Sequence, residues 1–185
     1  RLKEVQRANI SVNEIAKDLV EQIAFEARKS EYVDSKSGVS ARLTISAFEN
    51  LIASAERRSI INNEKDASIR IADFAGVIPS ITGKVELVYE GEQEGPGIVA
   101  QNLVGKALRT QFINYFPDPD KFRKQKEKSP YKKIANWFGD GNTIDLLNDV
   151  SQAEFEKTLK GIPGLEELVS EFHKSQDKAA KLFLM

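Results

Sequence analysis

The sequence predicts an all-α fold, with four helices over residues 11–116 followed by a smaller helical extension. Four segments place apolar residues at intervals of three to four, which is the spacing of an amphipathic helix. Two capping boxes, Ser11–Glu14 and Ser151–Glu154, place a glutamate three positions after a serine. A lysine-rich stretch over 121–133 separates the four segments from the rest of the chain.

The first two helices are predicted over about 11–29 and about 40–61. The first begins at its capping box, and apolar residues then recur at steps of four. Asn62 and Asn63 end the second helix as a turn signal. The residues predicted to face the core are Ile15, Leu19, Ile23 and Ala27 in the first helix, and Leu43, Ala47, Phe48, Leu51, Ile52 and Ala55 in the second.

A third helix is predicted from Ile71, with a kink at Pro79. Residues 84–89 are open to two interpretations, because Val85, Leu87 and Tyr89 also alternate as in a short strand. We predict helix there. Residues 91–97 are predicted to form a loop.

Pro96 occupies the position of a first-turn proline, so a fourth helix is predicted from there to about Phe116. Its expected core residues are Val99, Leu103, Ala107, Leu108 and Phe112.

These elements divide the chain into residues 1–117, a charged linker over 118–133, and a helical extension over 134–185. In the extension, a short helix carries Ile134, Trp137 and Phe138. A second helix begins at the Ser151 capping box and stops at Gly161, and a last helix covers 164–184. The last helix is expected to bury Leu165, Leu168, Val169 and Phe172.

Composition restricts the function. The 27 basic and 28 acidic residues nearly balance, which argues against a domain built mainly to bind nucleic acid or an anionic membrane. Cysteine is absent and no apolar run reaches membrane-spanning length, so we expect a cytoplasmic protein with no membrane partner. The chain opens on a charged, helix-like stretch at Arg1, which indicates a piece of a longer protein.

The sequence lacks most of the motifs that mark catalytic, nucleotide-binding or metal-binding sites. There is no glycine-rich P-loop, so this chain alone is not expected to bind or hydrolyse a nucleoside triphosphate. The single histidine, His173, is expected late in an amphipathic helix, either solvated or favourably placed near the helix C-terminus. Glu90, Glu92 and Glu94 are interpreted as a solvated acidic turn rather than a cation site. The basic residues of 121–133 are interpreted as a solvated linker rather than a phosphate-binding surface.

Arg42 is the most informative residue, because it lies in the first turn of the second predicted helix. A helix dipole is positive at that end, so a cation there is unfavourable by roughly 0.3–1 kcal/mol. An anion bound at the same place would make the arginine favourable there, because helix N–H groups and the arginine fork both bind phosphate well. A surface arginine that points sideways is the alternative.

Three strings resemble bacterial magnesium-chelatase-like ATPases of the AAA+ superfamily. They are Gly38-Val39-Ser40-Ala41-Arg42, Phe48-Glu49-Asn50 with Ala55-Glu56-Arg57-Arg58, and the continuous run from Ile78 to Glu92. Trp137-Phe138 and Ile162-Pro163-Gly164-Leu165 are also similar to these proteins. The resemblance is to their C-terminal part and covers most of residues 8–160.

The resemblance implies that this chain is the helical lid of such an ATPase, with a C-terminal extension. Arg42 then matches the "sensor 2" arginine, which approaches the γ-phosphate of ATP, and Arg57, Arg58 and Arg70 are weaker candidates for the same interface. ATP and magnesium would be bound by the full-length parent, an ATP hydrolase. The implied partners are the upstream AAA+ core domain, neighbouring subunits of a ring, and a client or adaptor protein.

The alternative is a non-catalytic interaction module. In that interpretation residues 121–185 dock a partner protein or a nucleic acid, and Arg42 is an ordinary surface residue.

Overall fold

The structure, a computed structural model, describes residues 9–36, 39–40, 42–174 and 177–185. The mainly helical character that the sequence predicts is confirmed. The α-helices are Glu14–Lys29 (α1), Arg42–Ile61 (α2), Ile78–Thr82 (α3), Tyr89–Glu94 (α4), Pro96–Tyr115 (α5), Lys132–Gly139 (α6), Gln152–Lys160 (α7), Leu165–Phe172 (α8) and Lys178–Leu184 (α9). The remaining elements are strands Asn9–Ser11 (β1) and Asp66–Ser68 (β2), and 3-10 helices Ile71–Val77, Pro119–Phe122 and Lys126–Lys128.

The main core lies between α1, α2, α3 and α5, whose apolar faces meet. Each helix contributes the residues that its spacing selects, such as Leu19, Leu51 and Leu103, all at most 1% exposed. The last helix, α9, adds Ala180 and Phe183 to this core. The chain end therefore packs on the bundle rather than only on the extension.

A two-stranded sheet corrects the all-α prediction. β1 and β2 pair in parallel, with Ile10 opposite Ala67. The chain passes through both α1 and α2 between these strands. Three-residue strands are too short to show an alternating pattern, so their pairing was not visible in the sequence.

The predicted cap of the first helix was wrong. Ser11 belongs to β1, and its carbonyl accepts a hydrogen bond from the Ile69 amide at 3.1 Å. Asn13 caps α1 instead, with Oδ1 accepting from the Ala16 amide at 2.8 Å. The helix therefore begins at Glu14, three residues later than predicted.

The third predicted helix is shorter than expected. A 3-10 helix over Ile71–Val77 leads into α3, which stops before Gly83. Pro79 lies in the first turn of α3, where no helical hydrogen bond is lost, and the change from 3-10 helix to α-helix falls at the residue before it, Ile78. Residues 84–89 are not helical up to Tyr89, because Val85 and Leu87 form isolated antiparallel bridges with Val39 and Val33.

The predicted loop over 91–97 is also corrected, since α4 covers its first half. Gly95, with φ of 103°, makes the turn between α4 and α5. Pro96 then begins α5 as predicted. Val99, Leu103 and Ala107 are buried as predicted, whereas Leu108 and Phe112 are half-buried.

The C-terminal region forms two smaller apolar clusters. One joins α7, α8 and α9 around Phe155, Leu159 and Leu165. The other joins Phe116 to Leu168 and Val169 of α8. The single last helix predicted over 164–184 is wrong, because α8 ends at Phe172 and α9 begins at Lys178. Phe172 is exposed rather than inward-facing.

Candidate functional site

Arg42 is the first residue of α2, and its side chain is exposed. Its backbone amide donates to Ser40 Oγ at 3.2 Å, and the Leu43 amide donates to the Ser40 carbonyl at 2.9 Å. The first turn of α2 contains no acidic residue. Within the described ranges, no side chain pairs with the Arg42 guanidinium. Its fork is therefore open to a ligand.

The loop before Arg42 is held by a distant segment. The Val88 amide donates to the Tyr32 carbonyl at 3.1 Å, and the Asp34 amide donates to the Glu86 carbonyl at 2.9 Å. Val33 and Val39 bridge to the same segment. Two of the strings that carry the family resemblance, Gly38–Arg42 and Ile78–Glu92, therefore contact each other.

Gly91 lets α4 approach this loop. A Cβ atom at Gly91 would lie 2.6 Å from the Tyr32 carbonyl oxygen and 3.2 Å from Leu87 Cβ. Backbone cannot move away as a flexible side chain can, so only glycine fits here.

The rest of α2 fixes where Arg42 lies. Leu43, Ala47 and Leu51 are each at most 1% exposed and anchor the helix in the core. On its neighbouring face, Asn50 Nδ2 donates to Ser80 Oγ at 2.6 Å, and that hydroxyl donates to the Ser46 carbonyl at 3.0 Å. These bonds tie α2 to α3.

Arg57 and Arg58 are consecutive but have opposite environments. Arg57 is exposed and pairs with Asp149, with 2.7 Å between Nη1 and Oδ1. Arg58 is 1% exposed. Its Nε and Nη2 donate to the two carboxylate oxygens of Asp73 at 3.2 and 3.1 Å, and Nη2 also donates to the Ser68 carbonyl at 2.8 Å. Arg58 thus joins the end of α2 to β2 and the following 3-10 helix.

Arg70 is also 1% exposed, and all three of its guanidinium nitrogens have partners. Nε and Nη2 donate to Gln152 Oε1 at 3.0 and 2.8 Å, and Nη1 donates to the Val150 carbonyl at 3.0 Å. Its guanidinium lies over the Phe155 ring, 4.5 Å from the centroid. Burial, and next the charge of Arg58, lower the pKa of Arg70 to about 10, so the group remains charged at neutral pH.

Of the four arginines that the sequence singled out, only Arg42 has a guanidinium without a protein partner in the described residues. The structure explains Arg58 and Arg70 as buried structural residues and Arg57 as one side of a surface ion pair. One signal could have identified Arg58. It continues the buried stripe of Leu51 and Ala55 at the next helical interval, whereas Arg57 does not.

Sequence reasoning missed the acidic and amide partners of these arginines. Asp73 accepts from Arg58 and from the Arg70 amide at 2.8 Å. Glu64 Oε1 accepts a hydrogen bond from the backbone amide of Gln152 at 2.6 Å. Arg58 Nη1 and Glu64 Oε2 lie 3.8 Å apart, and neither is hydrogen-bonded within the described residues. These partners come from separate elements, so no short motif could have revealed them.

The structure also locates His173 and the three acidic residues Glu90, Glu92 and Glu94. Glu90, Glu92 and Glu94 lie exposed on α4 rather than in a turn. No cluster of three or more potential metal ligands occurs in the part of the chain that the structure describes. His173 lies at the C-terminal end of α8 and is half-buried, with Nε2 inaccessible to solvent and the ring edge-on to Tyr115.

The basic linker is only partly solvated. Its lysine and arginine side chains are mostly exposed, and Arg123 pairs with Asp120 at 2.9 Å. Its aromatic residues pack inward, since Tyr131 contacts Phe112 and donates a hydrogen bond to the Pro117 carbonyl. Burial raises the pKa of Tyr131.

An apolar groove separates the bundle from the extension. It has a volume of about 820 Å³. Ile71, Ile78 and Val104 line the bundle side, and Leu146 and Leu159 line the other side.

The chain matches no protein-family model, no curated protein and no solved structure. None of the helices in the described ranges combines the length and apolarity that crossing a bilayer requires.

Proposed function

We propose that this chain is the nucleotide-sensing lid and C-terminal region of a magnesium-chelatase-like AAA+ ATPase. One observation carries the proposal: Arg42 is exposed, and no described residue pairs with its guanidinium, at the start of a 20-residue helix whose first turn holds no acid. A cation at that end of a helix is unfavourable alone and favourable beside an anion. The contact between the two resemblance strings also supports a single functional unit around Arg42.

In this proposal Arg42 binds the γ-phosphate of ATP held by an upstream domain. Its planar fork donates two parallel hydrogen bonds to phosphate oxygens, a geometry that lysine cannot reproduce. The arginine stabilises charge on the transferring phosphoryl group, and α2 transmits its position to the bundle through Leu43 and Ala47.

The remaining parts of the reaction are assigned to the parent protein. Magnesium there would neutralise charge on the phosphates, and the P-loop would hold them. Because the sequence has no P-loop, the proposal gives this chain no hydrolytic activity of its own. Its partners are the upstream core domain, neighbouring subunits of a ring, and a client or adaptor protein.

The test is Arg42→Ala in the full-length protein. We expect steady-state ATP turnover to fall about tenfold to a thousandfold, because the arginine shares the phosphate charge with lysine and magnesium. Stability should change by less than about 0.5 kcal/mol, because the side chain is exposed and has no partner among the residues that the structure describes. Arg42→Lys should recover little of the activity, since it keeps the charge and loses the fork.

Arg123→Ala is the control, because Arg123 is also an exposed arginine and lies on the basic linker. It should leave turnover unchanged. Normal turnover in Arg42→Ala would refute the proposal. Loss of function in Arg123→Ala alone would favour the docking module over the lid.

A further inference from the structure

Residues 149–152 connect the extension to the bundle almost entirely through polar groups. The Asp149 carbonyl accepts from Asn62 Nδ2 at 2.8 Å, and the Asp149 carboxylate pairs with Arg57. The Arg70 guanidinium donates to the Val150 carbonyl and to Gln152 Oε1, and the backbone amide of Gln152 donates to Glu64 Oε1. Every one of these bonds joins residues at least 80 positions apart in sequence.

The apolar groove described above lies directly beside this polar contact. Ile71 follows Arg70 on one wall, and Phe155, under the Arg70 guanidinium, belongs to the opposite wall. Phe155 and Leu159 belong to the cluster of α7, α8 and α9 and not to the main core, so the direct contact of α7 with the bundle is mainly the polar one.

The bundle side does not depend on the polar contact for its own integrity. Arg58, Asp73 and the Ser68 carbonyl satisfy one another within the bundle. The Arg70 amide also stays bonded to Asp73. If residues 149–152 move away, the groups released are chiefly those of Arg70, Glu64 and Gln152, and each can be hydrated.

We propose that residues 149–152 form a releasable latch, which holds α7 on the bundle and whose opening widens the apolar groove. Closed, the latch holds α7 beside the bundle, while Phe155 and Leu159 pack in the cluster that α7 shares with α8 and α9. Open, it separates the walls while α1, α2 and α5 keep their packing. This inference does not depend on ATP sensing, because it rests only on the contacts of this chain.

The experiment measures amide hydrogen exchange by mass spectrometry on the 185-residue chain and on Gln152→Ala. This variant removes the acceptor of two Arg70 hydrogen bonds. We expect exchange in 144–160 to rise about tenfold or more, with α1 and α5 unchanged, as for a local opening. Fluorescence of the apolar dye anilinonaphthalene sulfonate should rise in parallel.

Gln93→Ala is the matched control, because Gln93 is an exposed glutamine with one side-chain hydrogen bond, to Tyr89. It should change neither readout in 144–160. Arg70→Gln tests the latch from the bundle side and should reproduce the pattern of Gln152→Ala. Where Arg70→Gln fails to fold, Gln152→Ala decides.

Two results would overturn the latch. Unchanged exchange in 144–160 in Gln152→Ala would show that the polar contacts do not hold α7. An equal rise in α1, α5 and 144–160 would show that these contacts belong to one cooperative fold with no separate opening.

Discussion

Asp73→Ala is expected to be the most destabilising single change in the polar cluster. The Asp73 side chain is 3% exposed and accepts three hydrogen bonds, two from Arg58 and one from the Arg70 amide. Without Asp73, the buried Arg58 guanidinium keeps one hydrogen bond, to the Ser68 carbonyl, and lies 3.8 Å from a carboxylate oxygen of Glu64. Breaking a buried pair from one side costs about 3–5 kcal/mol, because an uncompensated charge remains inside.

For a chain of this length, such a loss lowers the melting temperature by roughly 6–20 °C. The measurement is urea unfolding, read by circular dichroism, together with a thermal melt. Asp73→Asn should lose less, because one side-chain oxygen still accepts a hydrogen bond. The matched control is Asp120→Ala, which breaks the exposed pair with Arg123 and should cost under about 1 kcal/mol.

A loss in Asp73→Ala no larger than in Asp120→Ala would refute the reasoning. It would mean that the Arg58 charge finds another partner or reaches water, and that the cluster is not the buried pair described above.

Three other outcomes follow from the same structure. Gly91→Ala should lower the free energy of unfolding by about 1–3 kcal/mol in urea, because the new Cβ would meet the Tyr32 carbonyl. Gly105 lies inside α5 with open space around it, so Gly105→Ala should raise the free energy of unfolding by up to ~1 kcal/mol. Leu51→Ala, at a fully buried position of α2, should cost about 2–5 kcal/mol in the same assay. Isothermal titration calorimetry should detect no sub-micromolar ATP binding by the isolated chain, and tight binding would contradict the assignment of the P-loop to another domain.

Local features were predicted well because they depend on neighbours within one or two helical turns. The second helix, the fourth helix with Pro96 in its first turn, and the Ser151 cap of α7 all appear where the sequence placed them. Ser151 Oγ accepts from the Glu154 amide at 3.2 Å, the first half of the predicted capping box. Arg42 was likewise located at its helix start from local spacing alone.

Tertiary structure decided the features that depend on distant partners. Ser11 and Asn13 were equally good caps by chemistry, and the pairing of β1 with β2 left only Asn13 available. The conformation of residues 84–89 is determined by the bridges to Val33 and Val39 and not by the helical spacing of their apolar residues. Short segments have weak intrinsic preferences, so tertiary contacts determine their conformation.

The same reason separates the four arginines. From the sequence, all four were candidate phosphate ligands. The guanidinium groups of Arg58 and Arg70 are buried because Asp73, Val150 and Gln152 bind them across 15 to 82 positions of sequence. A buried guanidinium is stable only where such partners exist, and their positions depend on how the whole chain packs. Helical spacing therefore located Arg42, whereas only the folded chain showed that, of these four guanidinium groups, that of Arg42 has no partner among the described residues.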